Sequence, residues 1–232
     1  MLERVQKIIA NAGITSRRKA EILIDQGMVQ VNGKTIKLGD KADPDNDEVT
    51  VADNIIKKGE RKYYAFHKPI DCLTTLKDPQ GRKTIFDVYK TKERLIPVGR
   101  LDYKTEGLLI LTNDGDFANR VMHPRYEVTK TYVVYIDRSM KKEDVTKLTK
   151  GVELEGVGKA HPAKVNFVTD DKKVVQIKIH EGKNRIVRRM MRTLGYKIRR
   201  LIRTGIGTVH LDNLRRGKVR PLSPMEVKSF LE

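Results

Sequence analysis

The chain has 232 residues, with 48 Lys and Arg against 30 Asp and Glu, and a formal net charge of +18. That length allows one or two domains with a real hydrophobic core, and a charge of this size calls for polyanionic partners. No apolar run reaches the ~20 residues of a bilayer span, and a single cysteine, Cys72, excludes a disulfide framework and a Cys-cluster zinc site.

The opening MLERVQKIIANAG is charged and lacks the apolar core of a signal peptide, so a cytoplasmic, reduced, soluble protein is expected, with no membrane association. In chain order, Val5, Ile8, Ile9 and Ala12 recur at helical spacing and predict a helix over 3–11, ended by Gly13. Ser16 is suited to cap a second helix, Arg17–Gln26, which Gly27 stops. VQVNGKTIK alternates on both sides of Asn32-Gly33, the pair favoured in a type I′ turn, and a further strand is expected at Glu48–Val51. These elements make one compact unit, and the charged, aperiodic Asp53–Lys62 reads as a linker. Residues 1–60 are expected to form one domain with its linker, and 61–232 a second.

The second domain opens with a strand, YYAFHKP, stopped by Pro69, and DPQGRKT (78–84) reads as loop. GLLILTNDG (107–115) is an almost wholly apolar strand, buried on both faces, that ends at Asn113-Asp114-Gly115. A helix over Asp116–Met122 stops before Pro124, and KTYVVYID (130–137) alternates as a strand. Met140–Thr149 reads as a helix with Ser139 as its cap and Gly151 as its stop. Strands near 163–169 and 173–180 precede a helix, Arg185–Leu194, closed by Gly195; Lys197–Leu211 holds further strand. Ser223-Pro224-Met225-Glu226 is a capping box that opens a terminal helix. Strands interrupted by isolated helices predict an α+β fold.

The charge is uneven. Residues 1–52 hold eight basic and eight acidic residues, so the whole excess lies beyond them. The segment KNRIVRRMMRTLGYKIRRLIR (183–203) carries nine basic residues and no acidic one. A solvated charge run usually mixes signs, so this stretch is read as facing phosphates.

Three residues stand out chemically. Asp102 lies on a loop just before the buried strand, which suits either a reachable carboxylate on a rigid support or a turn-forming Asp bonded to its own backbone. In the helix 185–194, Val187, Met190, Met191 and Leu194 form a core stripe, with Arg185, Arg188, Arg189 and Arg192 opposite. Arg188 borders the core, where a guanidinium suits pairing with a carboxylate, or else contacts phosphate like its neighbours. Tyr132 shares a strand face with Val134 and Ile136, and reads as either a sheet-edge packing residue or a stacking platform for a nucleobase.

At these segments the chain resembles a known family. GRLDYKTEGLLILTNDG, KTYVVY and EGKNRIVRRMMRTLGYKIRRLIRTGIG are similar to the signature motifs of the ribosomal RNA pseudouridine synthases that modify single sites in the small or large subunit. SRRKAEILIDQGMVQVNGK resembles the helix-then-hairpin of the small RNA-binding fold of ribosomal protein S-four. FDVY…RLIPVGRLDYKTEGLLILTNDGDFANRVMHP is most similar to the branch acting on 23S rRNA near the peptidyl-transferase centre.

The resemblance implies an S-four-like domain followed by a mixed, mainly antiparallel catalytic sheet. It implies that Asp102 attacks the target uridine, letting the base detach, rotate and rejoin through carbon-5; that Arg188 pairs with Asp102; that Tyr132 stacks on the base; and that Leu201 lines the pocket. No cofactor or metal is used in this family. Arg100 is expected in the pocket, and Arg4, Lys7, Arg17, Arg18, Lys19, Lys68, Arg185, Arg189, Arg192 and Arg203 against RNA. The partner is ribosomal RNA, 23S before 16S, or an assembly particle, with the protein a monomer. Three positions depart from the family pattern: Ile186 where Gln is common, Gly205 where a basic residue is common, and Asp71 where Gly is usual and a left-handed backbone is expected.

The residues agree with this chemistry. Isomerising uridine is redox-neutral, and the chain has no dinucleotide fingerprint, no P-loop and no His pair at metal-ligand spacing. A nucleophilic carboxylate activates a glycosidic carbon through a covalent intermediate. The rival readings are a non-catalytic rRNA-binding assembly protein, and a glycosylase that releases the base.

Overall fold

The computed structural model describes residues 1–232 apart from Lys58, which falls in the expected linker, and Val157. The chain divides into two compact units: residues 1–62 with 92–95 and 113–115, and the remainder.

In the first unit, β1 (Glu3–Arg4) leads into α1 (Val5–Asn11) and α2 (Arg17–Asp25), followed by β2 (Val29–Val31), β3 (Lys34–Thr35), β4 (Lys41–Ala42), β5 (Val49–Val51) and β6 (Asn54–Ile55). Ser16 accepts a hydrogen bond from the Lys19 amide and so caps α2. The strands run β3-β2-β5-β6, with β1 paired to β4. Asn32 and Gly33 both take positive φ, +52° and +75°, as the type I′ turn requires. The Asn32 side chain also ties this turn to the Glu48 amide and the Asp47 carboxylate, each at 2.9 Å. Val5, Ile9, Ala20, Ile24, Val29 and Val49 close the core. The start of the expected linker is in fact β6, a strand of this sheet, because Thr50 and Val51 pair with Ile55 and Asn54.

The second unit contains β7 (Tyr63–Lys68), α3 (Ile85–Val88), β8 (Ile96–Val98), β9 (Glu106–Thr112), α4 (Gly115–Met122), β10 (Lys130–Ile136) and α5 (Lys142–Lys150). It continues with β11 (Glu153–Leu154), β12 (Gly158–Lys159), β13 (Lys164–Phe167), β14 (Val174–Ile179), α6 (Ile186–Thr193), β15 (Ile198–Ile206), β16 (Val209–His210), β17 (Val219–Pro221) and α7 (Pro224–Lys228). Nine strands form one sheet in the order β13-β14-β10-β15-β9-β7-β17, with β16 on β15 and β8 on β9. Every pairing is antiparallel except β15 with β9, so the sheet is mixed and mainly antiparallel.

One apolar cluster, including Val134, Leu148, Ile177, Met190, Met191 and Leu201, packs α5 and α6 onto the β14-β10-β15 part of the sheet. Another, including Leu108, Ile110, Phe117, Ile202, Val209 and Phe230, serves the β15-β9-β7 part. All seven residues of β9 are buried, as its unbroken apolar run demands. At the parallel β15–β9 junction Arg203 pairs with Gly107, whose φ is +116°. A β-carbon on Gly107 would stand 2.2 Å from the Arg203 carbonyl oxygen, so only glycine lets the two strands meet there. That contact sets the loop preceding β9 beside the end of β15.

Some local expectations shift. Ser139 does not cap α5: its hydroxyl donates to the Asp171 carbonyl, and Lys141 takes the cap position. Arg185 stands outside α6 as its N-cap, at φ +55°. Gly151 ends α5 as expected, and Ser223 and Glu226 form the capping box of α7. Among the described residues no helix is long and apolar enough to cross a membrane.

Candidate active site

Within the second unit a cleft of about 420 Å³ opens where the loop before β9, the strands β10 and β15, and the segment leading into α6 converge. It is lined by Arg100, Asp102, Lys130, Tyr132, Lys183, Arg185, Arg188, Leu201 and Arg203, with Glu181 as its other carboxylate.

Asp102 sits in a tight turn. Its carbonyl oxygen accepts from the Thr105 amide at 3.0 Å, and also from Lys68 Nζ at 3.2 Å. The turn is therefore made by the backbone, and the carboxylate faces the cleft. Arg188 Nε stands 3.6 Å and Arg185 Nη1 3.9 Å from its Oδ2, with the Asp102 side chain 27% exposed. These distances exceed hydrogen-bond range, so the pairing is electrostatic. Arg188 is anchored independently: Nη2 donates to the Lys104 carbonyl at 2.8 Å and to Thr105 Oγ1 at 3.1 Å. Burial and the neighbouring Arg185 push the Arg188 pKa down, and Asp102 opposes them. The amphipathic pattern of α6 produces this placement. Ile186, Val187, Met190 and Met191 bury one face, each contributing about 2 kcal/mol, and Arg188 is left at the edge of that face, turned toward the Asp102 loop.

Tyr132 lies in the interior of the sheet, since β10 runs between β14 and β15; it is half-buried and lines the cleft. Across the ladder Tyr132 pairs with Arg203 and Val134 with Leu201, so Tyr132 and Leu201 share the cleft-facing side. Leu201 is buried, and Arg100 is exposed at the rim.

Two of the cations expected against RNA are interior. Lys68 is wholly buried; Nζ donates to the carbonyls of Pro69, Asp102 and Thr105 at 3.0, 3.2 and 3.0 Å, so the ammonium clamps the Asp102 turn from below. Arg203 is 5% exposed, with Nε donating to the Leu108 carbonyl at 2.7 Å. Both side chains stand where a strand register points them inward, so neither reaches a phosphate outside the cleft. Arg185 and Arg192 are exposed and Arg189 is half-buried. In the first unit Arg4, Arg17, Arg18 and Lys19 are exposed, and Lys7 pairs with Glu3 at 2.9 Å.

Asp71 takes φ +60°, the left-handed backbone expected there. Its carboxylate holds Lys104 at 2.7 Å and its amide donates to the Tyr103 carbonyl, bracing the turn that bears Asp102. Thr74 braces the other side: its hydroxyl donates to the Leu101 carbonyl at 2.9 Å and accepts from the Leu101 amide. Sequence reading missed three contributors. Lys130 is two residues before Tyr132 and so shares its face, a signal present in the alternation. Glu181 and the Glu106 hub left no such signal: buried Glu106 holds Arg200 through one oxygen and Arg216 at 2.7 Å through the other, residues far apart in the chain.

A two-helix and hairpin unit joined to a mixed sheet with a carboxylate and two guanidiniums in a basic cleft defines a class: an S4 RNA-binding domain coupled to a pseudouridine synthase domain. The RNA pseudouridylate synthase profile matches residues 62–193, and the S4 domain profile residues 3–49. The chain is 44% identical over 233 residues to the ribosomal large subunit pseudouridine synthase B of Bacillus subtilis (strain 168), covering 98% of this chain and 95% of the relative. It is 42% identical over 234 residues to an uncharacterized RNA pseudouridine synthase of Aquifex aeolicus, covering 99% and 94%. A crystal structure of a pseudouridylate synthase superposes with a TM-score of 0.72 at 32% identity, covering 98% of this chain and 99% of that one. The chain belongs to the RNA pseudouridylate synthase family, and is an enzyme of that family with an S4 RNA-binding domain.

Proposed function

We propose that this chain isomerises uridine to pseudouridine in ribosomal RNA, in 23S rRNA near the peptidyl-transferase centre, with Asp102 as nucleophile toward a flipped-out base. The observation that carries the reading is the carboxylate of Asp102, open to the cleft and faced by an Arg188 that two other contacts hold in place. The large-subunit assignment rests on the Bacillus subtilis relative, which carries that substrate in its name.

An Asp102 oxygen attacks C1′ of the target nucleotide while the C1′–N1 bond breaks, and its electron pair leaves with the uracil ring. The ring turns, C5 attacks C1′, and the Asp102–C1′ bond breaks. The C5 proton is lost and N1 takes one up, so atoms and charge balance without a cofactor. Arg188 faces and orients the carboxylate. Tyr132 stacks on the base and Leu201 walls the pocket. Unstacking the target costs a few kcal/mol, which phosphate contacts from Arg100, Arg185, Arg189 and Arg192 offset. Residues 1–60 supply a second grip through the exposed basic start of α2.

The test is Asp102→Asn. With rRNA transcripts, pseudouridine formation is expected to fall below detection, while the RNA Kd stays within about twofold because the phosphate contacts are untouched. Mapping pseudouridines in total rRNA from cells with and without the protein identifies the site. Undiminished activity in the variant refutes the nucleophile, and free uracil without a new carbon–carbon bond points to a glycosylase.

A further inference from the structure

Beneath Tyr132, on the same side of the sheet, lie two cations that the catalytic scheme does not use. Arg203 is the cross-strand partner of Tyr132, and Lys130 precedes Tyr132 by two residues on β10; all three line the cleft. Arg203 Nε is committed to the Leu108 carbonyl, but Nη2 is buried and has no hydrogen-bond partner. Lys130 Nζ makes one long contact, 3.3 Å to the His180 carbonyl, which leaves most of its donors available. Burial, with Arg203 beside it, pushes the Lys130 pKa down.

Among the described residues no carboxylate is paired with these two charges. Asp102 faces Arg185 and Arg188, and Glu181 receives the His161 amide at 2.9 Å and Lys183 at 3.2 Å. Two part-buried cations lining one cleft, one of them with a buried and unpartnered Nη2, make a site suited to an anion. Depth selects which anion. Exposed Arg100, Lys183 and Arg185 at the outer rim suit phosphates, whereas Arg203, buried and opposite Tyr132, suits a flipped base lying against that ring. Uracil enters neutral and acquires charge only when the C1′–N1 bond breaks, as the electron pair spreads onto its carbonyl oxygens.

We propose that Lys130 Nζ and Arg203 Nη2 form an oxyanion site for the departing uracil, donating to a carbonyl oxygen of the ring while it is detached from the sugar. The inference rests on the isomerase reading above. Donors aimed at charge that exists only during reaction accelerate the chemical step rather than binding.

Lys130 carries the test, because Arg203 also supports the β9–β15 junction. RNA targets bearing either uridine or 5-fluorouridine at the modified position are compared under single-turnover conditions, following consumption of the target nucleoside. Fluorine withdraws charge and makes the ring a better leaving group. Lys130→Met is expected to slow the uridine target about 100-fold with KM unchanged. On the fluorinated target the loss shrinks to about tenfold or less, and Lys130→Arg restores most of the rate. Lys130→Gln is measured alongside, with thermal melts for each variant. Equal losses on both targets, or a raised KM with unaltered kcat, overturn the oxyanion site and mark Lys130 as structural or phosphate-binding. A wild-type protein that converts neither target overturns the isomerase reading itself, and this inference with it.

Discussion

At the scale of single residues, the Asp102 turn is held by a lysine with no exposed surface. Lys68 spends its ammonium on three backbone carbonyls, two of them the ends of the turn that displays Asp102. Lys68→Met keeps the buried volume but leaves the Thr105 carbonyl without a donor, which costs about 1–3 kcal/mol, and takes one of two donors from the Asp102 carbonyl and one of two from the Pro69 carbonyl. Relief of the buried charge offsets part of this, so the variant is expected to lose about 1–2 kcal/mol of stability in urea unfolding. Its kcat should drop more than its RNA affinity, since the turn loses definition while the rim cations are untouched. An unchanged urea midpoint would mean the three hydrogen bonds do not form in solution. Nothing in YYAFHKP marks Lys68 as interior, because a strand-end lysine before proline looks solvated until its neighbours in space are known.

At the scale of elements, legibility followed length and periodicity. β9, α6 and the Asn32-Gly33 hairpin were readable because an apolar run, a stripe of four apolar residues and a turn pair are each local signals. The short strands β6, β8 and β17 were not, since two or three residues carry no period and exist only through their partners. Residue type and helix position left Arg188 open between a carboxylate and a phosphate, and the family resemblance supplied Asp102 as its partner; the support of that pair was not legible, since Lys68, Thr74, Asp71 and Thr105 are brought together by tertiary packing alone. Arg203 was misplaced for a related reason. In a run as basic as 183–203, composition assigns every cation outward, whereas the register of β15 turns this one inward. The outward arginines of α6 carry their own prediction. Each phosphate neutralised contributes about 0.7–0.9 to the slope of log K against log salt. Replacing Arg189 and Arg192 together by alanine should lower that slope by about 1.5, measured by filter binding between 50 and 300 mM KCl. A slope equal to that of the parent would place the helix away from the RNA backbone.

For the molecule as a whole, the formal charge of +18 hides the balance that sets acid stability. Several carboxylates are held below their ordinary range by partners formed on folding. Hydrogen bonds from Arg82 bring Asp78 to about 2. The Thr84 amide lowers Asp87, the Lys197 amide lowers Asp137, and Arg220 lowers Glu226. In each case the folded value lies below the unfolded one, so the unfolded chain binds more protons in acid. The stability these groups contribute is complete above the unfolded pKa, near 4, and is lost as pH falls toward the folded values. The Tm should therefore be level between pH 7 and 5, decline below about pH 4.5, and keep declining toward pH 2. Repulsion adds to the loss, because protonating the 30 Asp and Glu leaves 48 Lys and Arg unopposed. Salt separates the two contributions. At pH 3, raising KCl to 0.5 M screens repulsion beyond a few ångströms and should recover part of the Tm, but not the share belonging to the lost carboxylate hydrogen bonds. Full recovery in salt would assign acid unfolding to net charge alone, and a level Tm down to pH 3 would mean the carboxylate partners are not engaged in solution.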